Sequence, residues 1–250
     1  ATATVAQWQT AMRSVTYTNS SDTPNTATRT ISFVANDGTA NSNTATKNVS
    51  VTAVNDTPVV TTSGGTTAFT EGNNVASTPV AIDAALTVTD ADNATLASGT
   101  VSITAGLQTA QDVLAFTNIP ATMGNILGAY NSGTGILTLT SAGATATVAQ
   151  WQSALRSVTY TNSSDTPNTT TRTISFVAND GTANSNTATK NVSVTAVNDT
   201  PAVTTSGGIT AFTEGSNVVS TPVVVDGALT VIDADNATLA SGTVSITAGL

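Results

Sequence analysis

The sequence predicts an all-β protein, a tandem array of antiparallel β-sandwich domains with one short helix in each repeat. Three observations predict it. Residues 1–107 recur as 144–250 with 11 differences, so the chain is built on a unit of 143 residues, and only 108–143 occurs once. Runs of alternating Thr and Val, both β-branched, suit a pleated, half-buried surface. Clusters of Gly, Pro, Asn and Asp then divide those runs into short strands.

The repeat is punctuated by Asn55-Asp56-Thr57-Pro58, which returns as Asn198-Asp199-Thr200-Pro201. Asn and Asp turn readily, and Pro cannot donate to a ladder, so each copy ends one strand before the next opens. Placing the boundaries there makes 1–56 the C-terminal part of one repeat, 57–199 a complete repeat and 200–250 the N-terminal part of the next. Ala1 falls in the middle of a repeat and no signal peptide starts the chain, so it is expected to be a stretch of a longer array.

The elements follow in order. Val5, Trp8, Met12 and Val15 lie on one helical face, as do Val148, Trp151, Leu155 and Val158, which predicts a short helix inserting its Trp into the core. Residues 14–19 alternate as a strand and end in the turn formers Ser20-Ser21-Asp22-Thr23-Pro24. Residues 29–35 and 44–54 form two further strands around the turn Asn36-Asp37-Gly38-Thr39, with Ile31 and Phe33 expected to meet Val49 and Val51 across the pair. In the complete unit, extended 58–62 is followed by a Gly64-Gly65 break, then 67–70 running into Glu71-Gly72. Strands are expected at 86–89, leading into Asp90-Ala91-Asp92-Asn93, and at 100–104, 113–117 and 135–140.

Composition narrows the function classes. Net charge is −9 with six basic residues, Arg13, Arg29, Lys47, Arg156, Arg172 and Lys190, too few for the basic face that nucleic acid requires. No apolar run approaches the length that crosses a bilayer, so no membrane insertion is expected in this segment. The chain has neither His nor Cys, which removes Ser-His and Cys-His nucleophiles and the common zinc sites. Asp90 and Asp92 stand two apart beside a strand end rather than across a cleft, and no phosphate-cradling glycine loop opens a helix. No enzymatic activity is expected.

Four motifs in series carry a resemblance: Glu71-Gly72, residues 86–93 ending in Asp90-Ala91-Asp92-Asn93, residues 31–38 and 174–181 ending in Asn-Asp-Gly, and Val54-Asn55-Asp56-Thr57-Pro58. In this order the chain resembles cadherin-type repeats, and in particular the cadherin-like repeats of giant bacterial surface adhesins exported by type I secretion, the RTX-adhesin-like proteins. The resemblance spans the whole unit. It implies a cadherin- or Ig-like sandwich and Ca²⁺ held where successive domains meet. At the first junction it implies Asn55, Asp56, Asp90, Asp92 and Asn93 as ligands, with Asp22 beside them. At the second it implies Asn198, Asp199, Asp233, Asp235 and Asn236, with Glu71 and Asp165 from the preceding unit.

The chemistry suits such an ion, because Ca²⁺ takes six to eight oxygens and Asp-x-Asp-Asn offers three oxygen-bearing side chains in four residues. The unit is longer than a typical cadherin repeat, its linker lacks an extra leading Asp and a second Asn, and Ser21-Asp22-Thr23-Pro24 replaces a motif that ends in Glu. Fewer carboxylates imply fewer or weaker ions, with dissociation constants of roughly 10⁻⁴–10⁻³ M. Each Asp can equally serve as a turn residue bonding its own backbone, above all Asp37 and Asp180 beside Gly.

The expected function is therefore structural: the repeat region of a long extracellular or cell-surface protein, an adhesin stalk whose partners are neighbouring repeats of the same chain. Two alternatives stand beside it. One is a subunit of a self-assembling extracellular filament or sheath, in which identical chains are the partners. The other is a carbohydrate-binding module of a secreted enzyme, which needs an exposed aromatic platform. Trp151, Phe116, Phe176 and Tyr160 fall instead on predicted core faces, and exposure of Trp151 or Tyr130 would favour it.

Overall fold

A computed structural model describes residues 2–249. Strands hold 31% of the residues and helices 10%, which makes the fold all-β. The elements run α1 (Val5–Arg13), β1 (Arg29–Phe33), β2 (Ala45–Val49), β3 (Val59–Thr61), β4 (Thr66–Thr70), β5 (Val80–Ala81), β6 (Thr87–Thr89), β7 (Ser98–Ala105) and β8 (Asp112–Ala115). They continue with α2 (Pro120–Met123), β9 (Ile126–Asn131), β10 (Ile136–Ser141), α3 (Val148–Arg156), β11 (Thr159–Asn162), β12 (Arg172–Asn179), β13 (Ala188–Thr195), β14 (Ala202–Thr204) and β15 (Thr230–Ile232). Among the described residues no helix is long and apolar enough to cross a membrane.

Residues 57–199 hold a six-stranded sheet in the order β4-β13-β12-β7-β10-β9, a three-stranded sheet β5-β11-β8 and the pair β3-β6. One apolar core joins them. The inward positions of the large sheet, among them Val101, Ile103, Leu137, Leu139, Ile174 and Phe176, meet Leu114 and Tyr160 of the small one. Phe69 stands edge-on to Tyr160 with ring centroids 5.2 Å apart, a favourable aromatic geometry that ties sheet to sheet. Burial along β13 alternates strictly over its first five residues, as a strand with one wet face must.

The helix α3 starts at Thr147, whose hydroxyl accepts from Gln150 N while Gln150 Oε1 accepts from Thr147 N, a reciprocal cap. It buries Trp151, Ala154 and Leu155. The indole Nε1 donates to Leu96 O at 2.9 Å, and the ring lies over Gly99, where an added Cβ would come within 3.2 Å of it.

Four expectations need correcting. The sheet is not wholly antiparallel: β4 runs parallel to β13. These strands come from opposite ends of the unit, so no hairpin dictates their direction. The helix is not alone, because β8 crosses to β9 through a helical turn, α2, with Pro120 at its first position. Strand β9 itself was not expected. It is an edge strand with the outward Leu127 next to Gly128, so its apolar alternation is weak. Finally, Ile31 stands opposite Lys47 and Val49 opposite Arg29, and in the complete unit the equivalent Lys190 and Arg172 point into the interior.

The partial repeats show what the missing partners contribute. Trp8 is 55% exposed where Trp151 is fully buried, and Phe212 is 58% exposed where Phe69 is fully buried. Residues 14–19 stay unpaired in the first copy. In the second, β11 is held between β5 and β8, whose equivalents for the first copy would fall ahead of residue 1.

Candidate metal centre

The parallel pairing of β4 with β13 brings the C-terminal ends of both strands to one end of the unit. Glu71 follows β4 directly and extends the ladder, its N–H donating to Thr195 O at 3.0 Å. Its Oε2 accepts from Val197 N at 2.6 Å, which clamps the carboxylate against the outgoing linker. Asp199 lies two residues further along that linker, and Asp165 comes from the loop between β11 and β12. One oxygen of each of Glu71, Asp165 and Asp199 lies within 4.8 Å of the other two.

Two of these carboxylates are deeply buried, Glu71 at 5% exposure and Asp199 at 0%. Each spends one oxygen on a backbone N–H, Val197 N for Glu71 and Asn74 N for Asp199. Glu71 Oε1 and Asp199 Oδ2 have no partner at all. Buried oxygens are almost always satisfied, and buried like charges repel at close range. A cation answers both, and a hard, oxygen-seeking one suits a set made only of carboxylates. These three residues could hold a metal ion.

The surrounding loop is built for this closeness. Gly72 admits no side chain, since a Cβ would stand 2.5 Å from Val75 O. Asn74 adopts φ +51°, a left-handed conformation Asn tolerates. Its amide reaches Thr200 Oγ1 at 2.7 Å, and the Asn73 amide reaches Asn198 O at 3.0 Å, so the loop grips the linker from the side. A cleft of about 530 Å³ opens beside it, lined by Asn74, Ser77, Asn162, Ser164, Asp165 and Ala234.

The remaining candidates gather at the two junctions in matching arrangements. At the first, Asp92 Oδ2 accepts from Asp56 N at 3.2 Å and the Asn93 amide donates to Asn55 Oδ1 at 3.2 Å. At the second, Asp235 Oδ2 accepts from Asp199 N at 3.2 Å and the Asn236 amide donates to Asn198 Oδ1 at 3.2 Å. Asp90 and Asp233 each turn one oxygen onto the backbone of their own loop and leave Oδ2 buried without a partner. Burial, together with the charge of Asp92, pushes the Asp90 carboxyl above the usual carboxylate range. Burial opposes ionisation of Asp233 too, but the N–H groups of Asn236 and Asp235 hold it below that range.

The three-carboxylate cluster itself does not include Asp233 or Asp235, and among the described residues none comparable forms at the first junction. The position equivalent to Glu71 would lie 143 residues before it, ahead of residue 1. Asp165 joins the cluster, so its role is more than that of a turn. Asp180 is more than a turn residue as well: Oδ1 holds the loop through Thr182 N and Ala183 N, while Oδ2 accepts from the Asn55 amide at 2.8 Å. Burial opposes the Asp180 charge, but the Asn55 amide and these N–H groups hold its carboxyl below the usual range. Nothing local in the sequence signals a contact across 125 residues, nor the parts played by Asn73 and Asn74. In comparisons with known proteins, no family model, curated protein or solved structure matches the chain.

Proposed function

We propose that the chain is a structural stretch of a long extracellular surface protein, with cadherin-like β-sandwich domains stacked end to end and stiffened by Ca²⁺ at their linkers. The observation that carries this reading is the pair of buried, unpartnered oxygens, Glu71 Oε1 and Asp199 Oδ2, beside Asp165. Asp199 is the pivot. Its carboxylate faces the preceding unit, while its N–H donates to Asp235 of the following one. An ion that fixes the Asp199 carboxylate therefore fixes the peptide on which the next unit is hung, and a bend at the linker would break ion contacts. Without the ion, three carboxylates repel at the same point and the linker loosens.

A carbohydrate-binding role finds less support. Trp151 is fully buried with its indole N–H committed to Leu96 O, and Tyr130 is half-buried with its hydroxyl donating to Asp112 O.

The test is thermal unfolding with and without Ca²⁺, beside a Glu71→Gln/Asp199→Asn variant. With a dissociation constant of roughly 10⁻⁴–10⁻³ M, about 10 mM Ca²⁺ stabilises the folded state by about 1.4–2.7 kcal/mol. For a domain of this size that is a rise in Tm of about 4–8 °C. The parent is expected to show the rise and the variant to lose it. Equal melting in both media, or a rise that survives the double substitution, would sink the reading.

A further inference from the structure

Each strand edge in 57–199 is met by a side chain, packed against a neighbouring segment or only two residues long, with one exception. Asn186 takes both backbone groups of Val60 in β3, its Oδ1 accepting at 3.0 Å and its amide donating at 2.8 Å. Gln152 Oε1 accepts from Val88 N of β6 at 3.1 Å. The Thr67 hydroxyl of β4 donates to Ile82 O at 2.7 Å, which binds the strand against the segment that follows β5. At β8, Asp112 O accepts the Tyr130 hydroxyl at 2.8 Å, and β5 is only two residues long and follows Pro79.

Strand β9 has none of this. It forms the end of the six-stranded sheet and pairs with β10 alone. At Gly128 the main chain itself is exposed. A Cβ there would point inward, 2.9 Å from Leu139 and Phe116, yet the residue is exposed, so what solvent reaches is its backbone. Leu127, on the outer face beside it, is 66% exposed. Natural sheets guard such an edge with charge, Pro or a bulge. β9 has no Pro and pairs in unbroken register, and residues 113–155 contain no Asp, Glu, Lys or Arg.

We propose that β9 is a lateral docking edge for the same strand of a second copy of this chain, joining two six-stranded sheets into one through an antiparallel β9–β9 pair about a two-fold axis. Charge and geometry select this occupant. Two copies carrying −9 each repel least where charge is absent, and residues 113–155, which include β9, carry none. The other edges within 57–199 are met by side chains, packed against another segment or only two residues long, so the matching edge is another β9, and the contact is isologous. Because the strand lies in the segment that occurs once per 143 residues, an array presents one such edge per unit. Parallel rods can then zip together through many individually weak contacts. The inference is independent of the ion at the linker.

The experiment is sedimentation of the whole chain over a concentration series up to about 1 mM, in Ca²⁺ and in EDTA, for the parent and for Leu127→Lys. Leu127 points outward, so the variant is expected to fold. It puts a positive charge from each copy on the same outer face of the joined sheet and is expected to weaken association roughly tenfold or more. The parent is expected to dimerise equally in both media, with slowed amide exchange confined to residues 126–131. A parent that stays monomeric throughout, a Leu127→Lys chain that associates as well as the parent, or protection that appears at 5–33 instead would each overturn the proposal. Association that needs Ca²⁺ would also overturn it, while leaving the ion reading intact. A Tm unresponsive to Ca²⁺ beside an unchanged dimer would do the reverse.

Discussion

Replacing Asp112 with asparagine removes the negative charge on which the interior of the complete unit converges. Asp112 and Arg172 are both fully buried, and Arg172 Nε donates to Asp112 Oδ2 at 2.9 Å. The same carboxylate accepts from Tyr160 OH at 2.6 Å, Asn162 Nδ2 at 2.7 Å and Gln108 N at 2.7 Å. An isosteric amide retains an acceptor for Tyr160 but leaves the guanidinium a buried, uncompensated charge. Breaking a buried pair in this way costs about 3–5 kcal/mol, out of a total stability of roughly 5–15 kcal/mol for a domain. Adding Arg172→Met removes the stranded charge and should restore much of the loss, so a double-mutant cycle should show coupling of about 2 kcal/mol or more. Arg29→Met serves as the control. Arg29 donates only to Asn25 O and Ala27 O of its own loop, and its loss should change stability by about 0.5 kcal/mol or less. The assay is urea unfolding followed by Trp151 fluorescence in a Trp8→Phe background. Additive single and double effects, or an Asp112→Asn cost below about 1 kcal/mol, would refute the claim that this pair locks the unique segment onto the repeated one.

Two further outcomes follow from the same packing. Trp151→Ala should cost about 3–5 kcal/mol in denaturant unfolding, while Trp8→Ala at the equivalent position should be close to neutral, because Trp8 is 55% exposed; equal costs would mean that the first copy buries its Trp after all. Stability should also fall in acid through Asp83. Burial opposes its charge, but the Ser63 hydroxyl and N–H outweigh that and hold the carboxyl below its ordinary value of 3.8. A depressed carboxyl stabilises the fold above the unfolded value, and that contribution is lost as pH falls through the folded one. Asp83→Asn should therefore flatten the acid limb of a stability–pH profile, and an unchanged limb would assign the acid loss elsewhere.

The parts legible in sequence were those governed by neighbours within a few residues. The Thr/Val alternation of 188–195 and the capped helix around Trp151 are local patterns, and both formed. The parts not legible depended on distance along the chain. No periodicity within residues 66–70 says that they will lie parallel to 191–195, and yet that pairing is what sets Glu71 beside the linker. Arg172 and Lys190 sit at inward positions of their strands, where an alternation rule expects apolar side chains. They are tolerated because Asp112 neutralises one, while Ser63 O, Ser63 Oγ and Gly64 O accept from the other. Strand β9 is not legible because the inward position next to Leu127 is glycine, which lets Leu139 and Phe116 fill the space that a side chain would take.

The junction residues illustrate a middle case. Motif order places Asn55, Asp56, Asp92 and Asn93 at one junction, and the two loops do meet there, across 36 to 38 residues. It could not rank them, since every Asp in a turn looks alike until its second oxygen is followed. Asp37 spends Oδ1 on Thr39 N and Ala40 N in an open loop, where water meets the rest. Asp199 turns one oxygen onto Asn74 and buries the other unanswered against Glu71 and Asp165. The first arrangement is complete as a turn. The second is not, because an orphaned oxygen in a carboxylate cluster costs free energy that no protein group nearby recovers. That difference sets Asp199 apart from the turn formers as a residue that could hold a metal ion, and it also explains why the cluster is centred on the linker. Among the described residues, only there do three carboxylates, from the end of β4, the loop after β11 and the outgoing chain, come close enough that they could share one cation.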